Sequence, residues 1–454
     1  MTLEWIANIC GGTLSGSESD QKIEVTGVHT DSREIKSGWL FIPLKAERDG
    51  HDFIAAAAKN GAVAALSERE LDGSLPYIRV ADTKAAMHRL AAAYRRSLAV
   101  KVVGITGSVG KTSTKEMIAS VLAEQYQVLK TEGNYNNEIG LPLTIFRLKK
   151  EHEVAVLEMG ISDFGEMHRL AGMAYPDLCV ITNIGLSHLE HLGSRDGILK
   201  AKTESFSHIK ENGAAILNGD DDKLCALTEA DGKPVIFYGI GNDKGDGREV
   251  YADQIDAESL KQTCAVIHIG QEQFPVCIPA AGAHNVYHAL AAACVGTKLG
   301  LSAAQIRRGI EHVQSIDGRN RLIEQGKITI IDACYNASPN SMNASIDVLT
   351  KARGRKIAVL GDMGELGPDS KKLHALVGEH IAGAPIDALF CTGTLASEIV
   401  AAAKAAGSSA DLIYENSRET LIEKLRQYKQ EGDTILVKAS HFMEFHKIVD
   451  ALSE

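Results

Sequence analysis

KVVGITGSVGKTSTKEMIASVLAEQY, residues 101–126, is the stretch that decides the fold. KVVGIT is a short β-branched run and reads as a strand. TKEMIASVLAEQY reads as a helix, and GSVGKT lies between the two. Glycines at 107 and 110 let backbone N–H groups close around phosphates, and the start of the following helix adds a favourable dipole. In such a loop Lys111 supplies a point charge for the β- and γ-phosphates, and the Thr112 hydroxyl can reach Mg²⁺. The common form of this loop has four residues between its glycines. Here Ser108 and Val109 alone stand between Gly107 and Gly110, which points to a subfamily with a short loop.

Working outward from this unit, more short strands follow. VAVLEM (154–159), LCVITNI (178–184) and AAILN (214–218) alternate with helical patterns. The texture returns after about residue 314 with ITIID (328–332), KIAVLG (356–361), ALFCTG (388–393) and TILVKA (434–439). Strands alternating with helices imply an α/β fold with parallel sheets covered on both faces. Residues 1–99 form a separate unit with short apolar segments, an Ala-rich helix near 83–97 and a polar cluster Thr30-Asp31-Ser32-Arg33. At 454 residues the chain has room for three domains. The expected division is 1–99, 100–313 and 314–454.

Composition narrows the function classes. Apolar residues make up 44% and charged residues 24%, the balance of a globular protein, and no run reaches the length of a spanning helix. The opening MTLEWIANICGG carries Glu4 and no basic segment, so no signal peptide is expected. A net charge of −11 argues against a general nucleic-acid binder and leaves only local positive sites for anions. The eight cysteines include no C-x-x-C pair, which fits reduced thiols rather than a disulfide framework or a zinc site.

Several residues outside the loop carry chemistry. Glu158 ends one predicted strand, His188 follows another, and Lys202 falls on a predicted helix in ILKAKTESF. Ends of adjacent parallel strands converge where ligands bind, so a carboxylate and an imidazole there can hold a second metal. Each also has a plain alternative: an ion-paired acid, a loop histidine and a solvated lysine. Gly239-Ile240-Gly241-Asn242-Asp243-Lys244-Gly245 has the wrong spacing for a dinucleotide loop and reads as a surface hairpin. His284 and His288 share a helix face, but position 285 is Asn rather than the metalloprotease Glu, so an ATP contact or packing is expected rather than zinc.

These residues, in this order, resemble the Mur ligase family of peptidoglycan synthesis over nearly the whole chain. The resemblance rests on TDSREIKSGWLFIPL, DGHDF, GITGSVGKTSTKEM, GNYNNEIGLPLTIF (133–146), LEMG, HLEHLG, KAKTE, GAHNVYHALAA (282–292), YNASPNSM (335–342), VLGDMGELG (359–367) and GDTILVKAS (432–440). GNYNNEIGLPLT and YNASPNSM resemble most the member that adds a D,D-dipeptide. The resemblance implies three domains: one for a UDP-sugar, a central ATPase and a C-terminal Rossmann-like domain. It implies that ATP phosphorylates the terminal carboxylate of a UDP-muramoyl-tripeptide, and that the D-alanyl-D-alanine amine displaces phosphate. It implies a monomeric cytoplasmic bacterial enzyme with two Mg²⁺ sites, no nucleic-acid partner and no membrane insertion.

By the same resemblance, Gly107, Ser108, Val109, Gly110, Lys111, Thr112 and Ser113 match the ATP loop. Thr112 and Glu158 match ligands of the first Mg²⁺. His188 and Lys202, the latter as carbamyl-lysine, match the second metal site, and Lys111, Glu158, His188 and Lys202 together match the catalytic set. Asn285 matches the adenine contact, and either Arg319 or Arg321 an arginine reaching ATP from the third domain. Ser32 and Arg33 match the UDP-sugar end, and Tyr335, Asn336 and Ser338 lie where the C-terminal domain meets the reacting centre; Lys438 in VKAS is a candidate basic anchor for the dipeptide, with a solvated lysine as the plain alternative. The chain departs from the family pattern at His288, Ala333, Ala439 and His441. The D-N-P-R segment of the neighbouring ligase that adds the third amino acid is absent. About a hundred residues precede the loop, unlike in folylpolyglutamate synthetases. A non-catalytic nucleotide-binding protein would have no need to keep Lys111, Glu158, His188 and Lys202 together.

Overall fold

The computed structural model describes all residues except 73–74, 242–247, 315 and 454. Three sheets follow one another along the chain. The first has five strands, in the order Thr13–Ser15, Tyr77–Arg79, Ala62–Ser67, Trp39–Phe41 and Gly27–His29, parallel except for the first pair. The helix Thr83–Arg96 packs beside it. Asp82 starts this helix by accepting the Ala85 N–H at 2.9 Å, one of the donors a helix start leaves unpaired. An apolar cluster runs without a break from Leu3 and Leu90 into Leu141 and Leu170, so the first unit shares core with the second. Glu138 reinforces that junction: it pairs with Lys84 at 2.7 Å and with Arg169, while its carbonyl meets His88 Nε2 at 2.7 Å.

The central sheet has nine strands. Lys101–Thr106 sits between Val154–Glu158 and Leu178–Ile181, both parallel to it. The chain turns to opposite sides of Lys101–Thr106 for these two neighbours. That leaves a crevice at their carboxyl ends, where open α/β sheets bind ligands. The far end of this sheet departs from the parallel expectation: Val250–Asp256, Thr263–Ile269 and Glu272–Ile278 form an antiparallel meander. The residues alternate between buried and half-exposed along Thr263–Ile269, and the tight turn at Gly270, φ 57°, joins it to the next strand.

Val235–Ile240 and Val250–Asp256 run parallel, with Tyr238 opposite Val250. The surface hairpin expected over 239–245 falls on Asn242, Asp243, Lys244 and Gly245, which lie outside the described residues. One sequence expectation fails in this region. Cys264 and Cys277 face one another across the meander and form a disulfide, so the expectation of reduced thiols throughout does not hold. The hairpin register makes them neighbours, which a spacing of 13 does not reveal. The other six cysteines are free.

The third sheet has six strands, ordered Arg321–Gln325, Ile328–Asp332, Thr434–Lys438, Lys356–Leu360, Ala388–Thr392 and Asp411–Glu415; only the first pair is antiparallel. Its four inner strands carry near-continuous apolar runs, as sheets covered on both faces do. No described helix is long and apolar enough to cross a membrane.

Candidate functional site

The loop after Lys101–Thr106 is held from behind as well as by its own glycines. Gly107 has φ 147° and Gly110 φ 84°, values that favour glycine. A Cβ on Gly107 would meet Thr182 Oγ1 at 1.9 Å, and one on Gly110 would meet His288 Cε1 at 2.6 Å. Asn183 takes both polar groups of Val109: its Oδ1 accepts the Val109 N–H at 3.0 Å and its Nδ2 donates to the carbonyl at 2.9 Å. Thr182 Oγ1 donates to the same carbonyl at 2.6 Å, and Ser108 Oγ accepts the Gly185 N–H at 2.9 Å. The loop shape is therefore set before any ligand arrives.

The loop opens into a cleft of about 520 Å³ between the central and third sheets. Ser108 to Ser113, Glu158, His188, Asn285, Arg319, Tyr335, Asn336, Ser338 and Lys438 all line it. Lys111 Nζ donates to the Gly107 carbonyl at 2.9 Å. Burial pushes its pKa down, Glu158 opposes that, and the Arg319 charge adds to it. Glu158 is buried; Asn136 Nδ2 donates to its Oε1 at 2.9 Å, while its buried Oε2 has no hydrogen-bond partner. A buried carboxylate oxygen without a hydrogen bond, in a cleft that Thr112 also lines, suits a hard divalent cation, which binds through one or two carboxylates plus phosphate oxygens.

The structure separates the two arginines. Arg319 Nη2 donates to Thr112 Oγ1 at 2.8 Å, and its guanidinium lies 4.3 Å from the Tyr335 ring centre. Burial pulls its pKa down, and Glu158 opposes that. Its buried Nε has no partner. Arg321 instead pairs with Asp317 at the surface and lines no part of the cleft.

Lys202 is buried rather than solvated, on the helix Arg195–Thr203. Burial first, and then the charge of Lys111, press its pKa far below the usual lysine value. His188 has φ 59° at the start of Leu189–Leu192, and its Nδ1 lies 2.6 Å from Glu365 Oε2 without hydrogen-bond alignment. Lys202 does not line the cleft, and no described group of three His, Cys, Asp or Glu residues is placed to hold a metal. His288 packs under the loop, with Nδ1 2.9 Å from Thr114 Oγ1, while Asn285 Nδ2 donates to the Ala281 carbonyl at 2.8 Å. For His288, burial pushes the pKa down to about 3, so the ring is neutral, as packing requires.

Ser32 and Arg33 lie on the first unit and line no part of this cleft. The Ser32 carbonyl accepts from Asn60 Nδ2 at 2.8 Å, and exposed Arg33 pairs with Asp31 at 2.5 Å. Of the departing positions, Ala333 lines the cleft and Ala439 is fully buried, its Cβ 2.8 Å from where a Cβ on Gly361 would stand. Asp332 accepts the Gly318 N–H at 3.1 Å and so fixes the turn that presents Arg319. Sequence reasoning missed Asn183 and Asn136. Both stand in segments it singled out, ITNI and GNYNNEIG, where buried-edge asparagines next to a phosphate loop were the available signal.

Comparison with known proteins agrees with this geometry. Family models match residues 24–95 (Mur ligase family, catalytic domain), 105–296 (Mur ligase middle domain) and 318–441 (Mur ligase, glutamate ligase domain). The chain is 38% identical over its whole length to the UDP-N-acetylmuramoyl-tripeptide–D-alanyl-D-alanine ligase of Bacillus subtilis, covering 98% of that protein. It is 35% identical to the ligase of that name from Escherichia coli, covering all of this chain and 98% of the other. A crystal structure of MurF from Acinetobacter baumannii superposes with a TM-score of 0.90 at 33% identity, covering 100% of this chain and 98% of that one. MurF from Thermotoga maritima in complex with ADP gives a TM-score of 0.84 at 30% identity, covering 95% and 97%.

Proposed function

The chain belongs to the Mur ligase family, and from that premise we propose that it joins D-alanyl-D-alanine to UDP-N-acetylmuramoyl-tripeptide at the expense of ATP, in peptidoglycan precursor synthesis. The observation that carries the reading is the convergence of a phosphate loop, the buried Glu158 and an arginine from the third sheet on one cleft. We divide the chain at 1–99, 100–313 and 314–454: UDP-sugar domain, ATPase and C-terminal domain.

A carboxylate resists attack by an amine because it is anionic and has no leaving group. Transfer of the γ-phosphoryl group to it makes a mixed anhydride, and phosphate then departs. Lys111, Arg319 and the N-terminus of the helix Lys111–Leu122 offset the charge that gathers when a triphosphate meets a carboxylate. Asn285 would contact adenine. Thr112 and Glu158 would hold a Mg²⁺, which supplies charge neutralisation when bound. His188 and Lys202 would serve a second ion; the depressed pKa of Lys202 favours the free amine, the form that adds CO₂ to become a carbamate oxygen donor. Ser32 and Arg33 would meet the UDP-sugar, and Tyr335, Asn336, Ser338 and Lys438 the dipeptide side of the reacting centre. The enzyme works as a cytoplasmic monomer in this reading.

Competition settles the substrate. D-alanyl-D-alanine, single amino acids and L,L-dipeptides are offered with the UDP-muramoyl-tripeptide and, in parallel, with the UDP-muramoyl-dipeptide, and products are read by mass spectrometry. Ligation of D-alanyl-D-alanine is expected to dominate. Preferred addition of a single amino acid to a UDP-muramoyl-dipeptide would move the assignment to the neighbouring ligase.

A further inference from the structure

Lys438 ends the strand Thr434–Lys438 and is buried, yet it lines the cleft beside Tyr335 and Asn336. Its Nζ donates to two backbone carbonyls, Asn336 at 3.0 Å and Ala333 at 3.3 Å. No described carboxylate forms an ion pair with it. The nearest acid, Asp332, accepts instead from the Gly318 N–H at 3.1 Å and the Cys334 N–H at 3.2 Å. The groups that act on Lys438 are Arg319, which disfavours its charge, and Cys334 and Asp332, which favour it. His284 also faces it; burial is the main cause that lowers that ring's pKa, to about 4, so it stands neutral beside Lys438 near pH 7. A neutral amine has two N–H donors and one lone pair. Two carbonyls match the two donors and leave the lone pair for a third direction. An ammonium in the same place carries a third N–H and a charge that burial and Arg319 disfavour more than Cys334 and Asp332 favour it.

We propose that the Lys438 amine is the general base that takes the proton from the dipeptide nitrogen as it bonds to the acyl carbon. This rests on the reaction proposed above. The N–C bond forms, the C–O bond to phosphorus breaks, and phosphate leaves with the electron pair. The proton shed by nitrogen passes to Lys438 Nζ and from there to the departing phosphate or to solvent. Burial and Arg319 lower the Lys438 pKa to about 7, so the base is available near neutrality.

The test uses the full chain with Lys438→Met and Lys438→Arg. Two reactions are followed from about pH 6 to about pH 9. One is ligation of D-alanyl-D-alanine. The other is hydroxamate formation from ATP, UDP-tripeptide and hydroxylamine, whose weakly basic nitrogen sheds its proton without help. In the wild type, ligation is expected to rise with pH through about 7. Lys438→Met is expected to lower kcat for ligation about 100-fold or more, with KM for the dipeptide little changed, and to flatten that rise. It is expected to keep hydroxamate formation, which also shows that the variant folds. Lys438→Arg puts a permanent cation with no lone pair in that place and is not expected to restore kcat; it carries the test alone if the methionine variant fails to fold. A raised KM with unchanged kcat, repaired by arginine, would mean a carboxylate anchor and overturn the proposal. No hydroxamate from the wild type would overturn the acyl-phosphate reading itself and the base with it.

Discussion

Replacing Arg319 by methionine tests whether the third domain reaches the nucleotide. The substitution keeps the apolar stem over Tyr335 but removes the guanidinium that lies 4.3 Å from that ring and donates to Thr112 at 2.8 Å. In the free protein the loss is small, because the guanidinium has a buried Nε with no partner and its charge is disfavoured by burial. With nucleotide bound, the same group faces phosphate charge. A preorganised donor aimed at charge that grows in the transition state is worth about 3–4 kcal/mol, which is a 10²–10³-fold effect on kcat. Arg321→Met is the internal control. That residue pairs with Asp317 at the surface, an interaction worth about 0–1 kcal/mol, and leaves the rate near wild type. The assay is phosphate release with both co-substrates, with thermal shift measured with and without an ATP analogue. Arg319→Met should unfold near the wild-type temperature alone and gain less from nucleotide. Rates within about threefold of wild type for Arg319→Met, or equal losses in both variants, would refute the reasoning.

Lys111→Ala should abolish turnover while circular dichroism stays native; near-normal phosphate release from the folded variant would remove the loop from the mechanism. Lys202→Ala should be nearly inactive and regain part of its rate with added short carboxylic acids, which fill the place of a carbamate. A crystal grown with bicarbonate and nucleotide that shows a plain ammonium there contradicts this. Because the cleft is walled by both the central and third sheets, small-angle scattering should show compaction when ATP analogue and UDP-tripeptide bind together, and no change at saturation counts against closure.

Much of the framework was legible locally. AAILN and ITIID are strands at 214–218 and 328–332, residue for residue, because each is a short, mainly apolar run closed by a polar residue. What failed was pairing between distant segments. The antiparallel meander, the parallel partner of Val235–Ile240 and the Cys264–Cys277 bond all depend on register, which no single segment carries. The site divides the same way. Lys111 and Thr112 stand in a motif whose spacing singles them out and Glu158 ends a strand beside it, and all three line the cleft, whereas Arg319 and Arg321 lie two apart on one stretch. Only the Gly318 turn held by Asp332 decides which of them enters the cleft. For Lys202 the residues alone favour a solvated lysine over a metal role, because helical periodicity does not show that its face is covered; the structure buries it.

The packing behind the phosphate loop bears on how this chain could have diverged. With Thr182 against Gly107 and His288 against Gly110, two further residues inserted to restore the common loop length would find no room behind the turn. Lengthening would call for accommodating change at Thr182, past a neighbouring strand end, and at His288 on a distant helix. Drift at 107, 110, 182 and 288 should therefore be correlated among descendants. A pattern search tuned to the longer loop will pass over such lineages even though the chemistry is the same.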